Sequence, residues 1–430
     1  MRLAEPTQVE VELKLDPTSP QAAYRYRVDD APPLPPPAIE QPASRQVSYG
    51  VITGRAARGT RFVFVAANGR VLASKPLRGR RFSLRVVLPL GDLRVRVTTV
   101  AGDGRRSSRT VRQVYGLPAA ARPRFVRSRQ DPVLARRLRA LVRNYNGTAG
   151  FYVQSLTGEG SGAAWNAKAH FPAASTLKLA IAAAVLARHS GIPPPGSYVG
   201  GLLREMITVS DDAAANALEV WLAGSTYAGS QQVNSLMRSI GLVDSIMYGG
   251  YETTGAKRSA AAAKRTPLGI FARPKSARAD FGLARASEVR SLSGPIPVGV
   301  DEAPAFGVGK YTTAWDMASL WRALWLASGS RGPLRVAQPG ITPVEARHLL
   351  WLTAHVRDVP KLDRVVGERR GVDVLHKAGW ISQARHDTGL VFWRGGVFVA
   401  GVMTYRSWGI GSSSDVLAGR VASLTLEHFR

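Results

Sequence analysis

Residues 171–178 read Phe171-Pro172-Ala173-Ala174-Ser175-Thr176-Leu177-Lys178, and the chain then stays apolar as far as Leu186. Such a run predicts a helix over 177–186 that is buried on all sides, yet it opens on a hydroxyl and admits one lysine in its first turn. A three-residue spacing puts Ser175 and Lys178 on one face. A serine hydroxyl becomes a useful nucleophile when a neighbour takes its proton, and a lysine can do so only if desolvation or nearby cations lower its pKa. Burial beside the positive end of a helix dipole supplies both conditions. Taken alone, the same residues also read as an N-cap serine followed by a snorkelling lysine, so the pair needs company before it means catalysis.

That company lies downstream. Residues 206–216 read Met206-Ile207-Thr208-Val209-Ser210-Asp211-Asp212-Ala213-Ala214-Ala215-Asn216, and residues 375–380 read Leu375-His376-Lys377-Ala378-Gly379-Trp380. In this order the three stretches resemble the Ser-x-x-Lys, Ser-Asp-Asn and Lys-Thr-Gly signatures of class A β-lactamases and related DD-peptidases. Two further stretches add to the likeness. Lys310-Tyr311-Thr312-Thr313-Ala314-Trp315-Asp316-Met317 resembles the threonine-led helix of that family, and His386-Asp387-Thr388-Gly389-Leu390-Val391 resembles the strand after Lys-Thr-Gly. The likeness runs over about residues 135–430.

The resemblance implies an α+β fold, a β-lactamase/transpeptidase-like domain with an antiparallel sheet beside a helical layer. It implies a serine hydrolase acting on β-lactams or D-Ala-D-Ala-type stem peptides of peptidoglycan through an acyl-Ser175 intermediate. Lys178 would accept the Ser175 proton, directly or through water. Ser210 would relay a proton to the leaving nitrogen, and Lys377 would hold the substrate carboxylate and polarise Ser210. Asp212, Ala378, Gly379 and Trp380 fall at substrate-binding positions, with the N–H groups of Ser175 and Trp380 forming an oxyanion hole. The resemblance calls for no metal and no cofactor.

The sequence also departs from the family pattern. Asp212 stands where the family has Asn, and a carboxylate cannot donate the hydrogen bond that an amide can; its charge could instead pair with Lys178. Ala378 replaces the Thr of Lys-Thr-Gly. Ser210 follows Ser175 by 35 residues, which is short for the family and predicts a trimmed helical subdomain and a more open cleft. The deacylating Glu of a Glu-x-x-Leu-Asn string is missing; Glu302 and Glu252 are the nearest candidates, and neither has that setting. Three outcomes stay open: a β-lactamase, a penicillin-binding DD-peptidase with slow deacylation, or a catalytically silent relative that binds cell wall.

The rest of the chain is read from composition and pattern. Residues 1–45 contain a Pro-rich run, 31–37, expected to form an extended linker. Alternating segments at 60–66, 81–87 and 93–100, with turn signals Asn68-Gly69 and Gly102-Asp103-Gly104, predict a small antiparallel β-sandwich over 46–118 that serves as a spacer or a wall-binding module. A linker is expected at 119–134, and 135–430 is the hydrolase domain. Within it the pattern predicts helices at 132–144, 313–327, 343–355 and 413–429, strands at 149–156 and 162–166, a hairpin over 387–404, and a surface insertion at 255–297.

With 58 Lys+Arg against 30 Asp+Glu, the formal net charge is +28. Such a surface should attract an anionic cell-wall polymer. No zinc-finger spacing or RNA-binding aromatic signature accompanies the charge, so nucleic acid is not the expected partner. Without cysteine, disulfides and thiol chemistry are excluded. The first fifteen residues lack the apolar core of a secretory signal, and no uninterrupted apolar stretch is long enough for a transmembrane segment. Substrates of this class nevertheless lead to the expectation of an extracytoplasmic, secreted or wall-associated protein.

Overall fold

The structure, a computed structural model, describes residues 33–189, 191–251 and 295–430. Its centre is a six-stranded sheet in the order Val372–Trp380, Ala384–Trp393, Gly396–Tyr405, Thr148–Ser155, Ser161–Trp165 and Arg129–Gln130, antiparallel except for the last pair. Both faces are covered. Phe151, Val153, Val391, Phe398 and Val402 meet the helices Pro132–Arg143 and Ser413–Phe429 on one side. Tyr152, Leu390, Phe392, Val397 and Val399 meet the helix Ala314–Ser328 on the other. With both faces covered, every residue of strands 148–155 and 396–405 is buried, rather than every second one. A helical layer of Lys178–Arg188, Tyr198–Thr208, Asp212–Ala223, Thr226–Ser239 and Pro343–Thr353 completes the α+β fold beyond Ala314–Ser328.

The N-terminal module is a two-sheet sandwich. Ala38–Gln41, Val51–Arg55 and Arg81–Arg85 form one sheet; Gln46–Ser48, Thr110–Gly116, Gly91–Ala101, Thr60–Ala67 and Arg70–Pro76, in that order, form the other. Val63, Val65, Val95 and Val97 alternate inward against Ile52, Phe82 and Leu84.

Two expectations about segment boundaries change. Residues 34–45 are not wholly linker: Ile39 buries its side chain in the sandwich core, and its strand pairs with Val51–Arg55, covering an edge that would otherwise be bare. Residues 1–32 lie outside the described residues. The stretch 119–134 is pinned rather than free, because Trp325 Nε1 donates to Ala121 O at 3.0 Å and Arg322 donates to Val126 O at 2.8 Å.

Nor is the sandwich a detached spacer. Val47, Tyr49, Tyr115 and Leu117 join the core of the larger domain. Tyr49 Oη lies 3.1 Å from Ser328 Oγ, and His348 Nδ1 lies 2.8 Å from Arg45 O. The expected insertion lies outside the described residues as far as residue 294.

Candidate active site

Lys178 opens the helix Lys178–Arg188, which is buried from Lys178 through Leu186. The chain enters it through a tight turn in which Ala174 has a φ of 47° and Thr176 N donates to Ala173 O at 3.2 Å. This turn leaves Ser175 partly exposed while Lys178 is wholly buried.

Ser210 sits between two helices, Tyr198–Thr208 and Asp212–Ala223, the second capped by Asp211, whose side chain accepts from Ala214 N at 2.6 Å. Its φ of 58° is a left-handed conformation that costs a β-carbon residue about 1–3 kcal/mol. Strain of that kind persists where surrounding structure fixes it, and here the flanking helices turn the hydroxyl toward two lysines.

The two lysines converge on Ser210 from opposite walls. Lys377 Nζ, from strand Val372–Trp380, donates to Ser210 Oγ at 2.9 Å and to Ala378 O at 2.9 Å. Lys178 Nζ lies 3.4 Å from Ser210 Oγ, 2.6 Å from Ser210 O and 2.5 Å from Asp212 Oδ1. Its three donors are therefore spent on Ser210 and Asp212. Among the described residues Ser175 Oγ makes no hydrogen bond to Lys178, so direct proton transfer between the two would need Lys178 to leave Asp212 or a water to bridge.

Gly379 has a specific reason to be glycine. A Cβ at that position would stand 2.7 Å from Ser175 N and 2.8 Å from Thr176 N. The strand thus lies directly against the amide of Ser175, an approach no side chain would permit. Ala378 is buried and carries no hydroxyl, while Trp380 at the strand end is 50% exposed.

Burial lowers the pKa of Lys178, with the charge and hydrogen bond of Asp212 working the other way. Lys377 is pushed down to about 7, first by burial and then by the charge of Lys178. Tyr251 presents its ring 4.6 Å from both Lys178 Nζ and Lys310 Nζ. Burial holds its hydroxyl well above the usual range, helped by Glu219 and Asp212, so the ring meets both cations as a neutral π-face. Asn216 fixes this residue by donating to Tyr251 O at 2.8 Å and accepting from Tyr251 N at 2.6 Å.

Ser175, Lys178, Ser210, Asp212, Lys377, Ala378 and Gly379 all meet in one cleft. Glu302 does not join them: its carboxylate accepts from Thr148 Oγ1 at 2.7 Å, while Asn166 Oδ1 receives its backbone N–H at 3.2 Å. Glu302 is thus anchored to Thr148 on the strand Thr148–Ser155 and to Asn166, and does not supply the deacylating carboxylate that its position before Thr312 suggested. Glu252 lies outside the described residues.

One feature of this region escaped the sequence reading. Directly behind Lys377, His376 Nδ1 lies 2.9 Å from Asp387 Oδ2, and both side chains are buried. Burial works against a charged His376, but the charge and hydrogen bond of Asp387 outweigh it and raise its pKa. Asp363 is close enough for the three to offer metal-ligand atoms within 4.8 Å of one another. However, Asp387 already accepts from Leu362 N at 2.9 Å, and Asp363 accepts from Lys361 N at 2.8 Å. With its carboxylates bound to amide and imidazole donors, the group reads as a hydrogen-bonded ion pair. The signal was available: His376 precedes Lys377, and Asp387 lies on the paired strand.

Several solved structures are similar to this chain at low identity. PBP-A is 19% identical over 71% of this chain and 99% of its own, with a TM-score of 0.48. An ancestral class A β-lactamase is 19% identical over 69% of this chain and 100% of its own, with a TM-score of 0.48. The β-lactamase from Sphaerobacter thermophilus is 17% identical over 69% of this chain and 97% of its own, with a TM-score of 0.46. No curated protein matches the sequence. The sequence profile of the β-lactamase enzyme family matches residues 132–192 and 189–429. Since those matches take in well over half of its length, the chain belongs to the β-lactamase enzyme family.

Proposed function

We propose that this protein is a serine hydrolase of the β-lactamase and penicillin-binding superfamily, acylated on Ser175 by β-lactams or D-Ala-D-Ala-type peptides. The observation that carries the reading is Ser210 Oγ held at 2.9 Å by Lys377 Nζ and at 3.4 Å by Lys178 Nζ, with Gly379 against the amide of Ser175. In the proposed reaction Lys178 first yields a proton to the Asp212 carboxylate that it meets at 2.5 Å; Ser175 Oγ then attacks the amide carbonyl, and its proton passes through a bridging water to the neutral Lys178. The carbonyl oxygen takes up charge beside the amide N–H groups of Ser175 and Trp380. Ser210 then delivers a proton to the leaving nitrogen, and protonated Lys377 holds the substrate carboxylate. A penicillin G acyl-enzyme has been described for a PBP-A variant, which makes penicillin the natural first probe. Substrates of this class place the protein's work outside the cytoplasm.

The loss of Lys178 donors to Asp212 favours slow turnover over efficient hydrolysis, and in the extreme a silent wall-binding relative. Intact mass spectrometry after incubation with penicillin G, beside Ser175→Ala, decides. A lasting adduct absent from the variant is expected and means acylation with slow deacylation. Hydrolysed penicillin without an adduct means a working β-lactamase. Neither adduct nor hydrolysis would overturn the reading.

A further inference from the structure

The end of the sandwich farthest from the hydrolase domain gathers arginines from several separate turns. Strand Gly91–Ala101 starts at the junction, where His355 Nε2 lies 3.1 Å from Asp92 Oδ2, and runs about 35 Å at the usual rise per residue before ending at the tip. There Thr60 pairs with Ala101, Arg55 pairs with Arg81, and Ala56 N donates to Arg80 O at 2.7 Å. Leu77 N donates to Arg61 O, Ala101 N to Arg105 O, and Val100 bridges Arg106. These links draw Arg55, Arg58, Arg61, Arg78, Arg80, Arg81, Arg105 and Arg106 to one end, all exposed except the half-buried Arg105.

Among the described residues two carboxylates answer them there, Glu40 on Arg55 at 2.9 Å and Asp103 on Arg105 at 2.8 Å. Arg58, Arg61, Arg78, Arg81 and Arg106 have no carboxylate partner among the described residues. Like charges directly opposite on paired strands, as in Arg55 and Arg81, are unfavourable. An arrangement that carries this cost and is built from turns otherwise unrelated in sequence invites a partner of opposite sign.

We propose that this tip docks the protein onto an anionic lipid surface through phosphate headgroups. Guanidinium groups pair with phosphate through two parallel hydrogen bonds. An apolar neighbour chooses among polyanions: the turns at 56–59, 77–80 and 102–105 carry the arginines beside an exposed aromatic ring, which suits a lipid boundary better than a wholly hydrophilic polymer. Phe62, 44% exposed and next to Arg61, adds an aromatic ring suited to the headgroup boundary. The contacts of Tyr49 with Ser328 and of Tyr115 with Asp373 would then tie the hydrolase domain to that surface. The inference stands apart from the proposed chemistry at Ser175.

The test is co-sedimentation of the full chain with vesicles of phosphatidylglycerol and phosphatidylcholine, against phosphatidylcholine alone. Each basic residue near such a surface is worth about a fivefold change in partitioning, so Arg58→Ser, Arg78→Ser and Arg81→Ser together should lower it on the order of 100-fold. A charge-matched variant away from the tip, Arg70→Ser, Arg136→Ser and Arg137→Ser, should bind nearly as the parent does. Equal losses in the two variants would reduce the effect to net charge and overturn the proposal. So would an absence of phosphatidylglycerol-dependent binding, or retention by duplex DNA or soluble poly(glycerol phosphate) with the vesicles left bare.

Discussion

In the buried interior around the site, Lys178, Lys361 and His376 each meet a carboxylate, on Asp212, Asp358 and Asp387, whereas among the described residues Lys377 meets neutral oxygens, of Ser210 and Ala378. At the far tip of the sandwich Arg55 faces Arg81 across a strand pair, and neighbouring arginines go unanswered. The difference lies in the solvent. A buried charge loses its hydration and must be paired or give up its proton, and Lys377, without a carboxylate, moves toward the second course. An exposed arginine keeps its water, and salt screens its neighbours, so the repulsion among many of them stays well below the cost of one unpaired buried charge, and a partner of opposite sign can relieve it. Charges in the cleft therefore fix geometry, and charges at the tip are available to a partner.

The sharpest test of this contrast is Asp387→Ala, which leaves His376 without its counter-charge in the interior. It should destabilise the fold by about 3–5 kcal/mol in urea unfolding; a loss no larger than that of a surface substitution would break the comparison.

Lys377 offers the second. Burial holds its pKa down to about 7 in the folded protein, below the ordinary lysine value of 10.5, so the unfolded chain binds more protons between those values and stability rises with pH across that window. The slope approaches about 1.4 kcal/mol per pH unit at its steepest, and it should vanish in Lys377→Met when urea midpoints are compared at both ends of the window. By the same titration, acylation by an anionic penicillin should fall as pH rises through about 7.

At the junction, Tyr115 Oη donates a short hydrogen bond to Asp373, whose pKa is raised by burial. Tyr115→Phe should cost about 1 kcal/mol in thermal or urea unfolding. No effect would mean that the sandwich merely rests on the strand that carries Lys377. At the tip, Arg81→Ser should move stability by less than about 0.5 kcal/mol, on the stabilising side because it relieves Arg55. A large loss there would show that the tip arginines serve the fold.

Much of the architecture was legible in the residues. The expected hairpin at 387–404 is the strand pair Ala384–Trp393 and Gly396–Tyr405, and the expected final helix is Ser413–Phe429. These segments are long, strongly apolar and bounded by turn signals, so local pattern and tertiary packing agree. Ile39 failed the same reading because one buried residue in a short strand beside a proline run carries no periodicity. Tyr49, Tyr115 and Leu117 read as ordinary strand residues, and nothing local tells which of two cores a strand will serve. Within the site, Ser175, Lys178, Ser210 and Lys377 could be named because their motifs come in order. His376 and Asp387 each fell within a quoted stretch and were still not read as a pair, since cross-strand register, not spacing, brings them together.

The amino-acid sequence by itself determined the family, the α+β class and the residue types gathered at the cleft, because those follow from short motifs and hydrophobic periodicity. Only the tertiary structure decided that Lys178 faces Asp212, that Glu302 is tied to Thr148, and that arginines distant along the chain share one tip. Local pattern governs which segments form, but the partner of a charge is chosen by where those segments meet, and that depends on packing the whole chain at once.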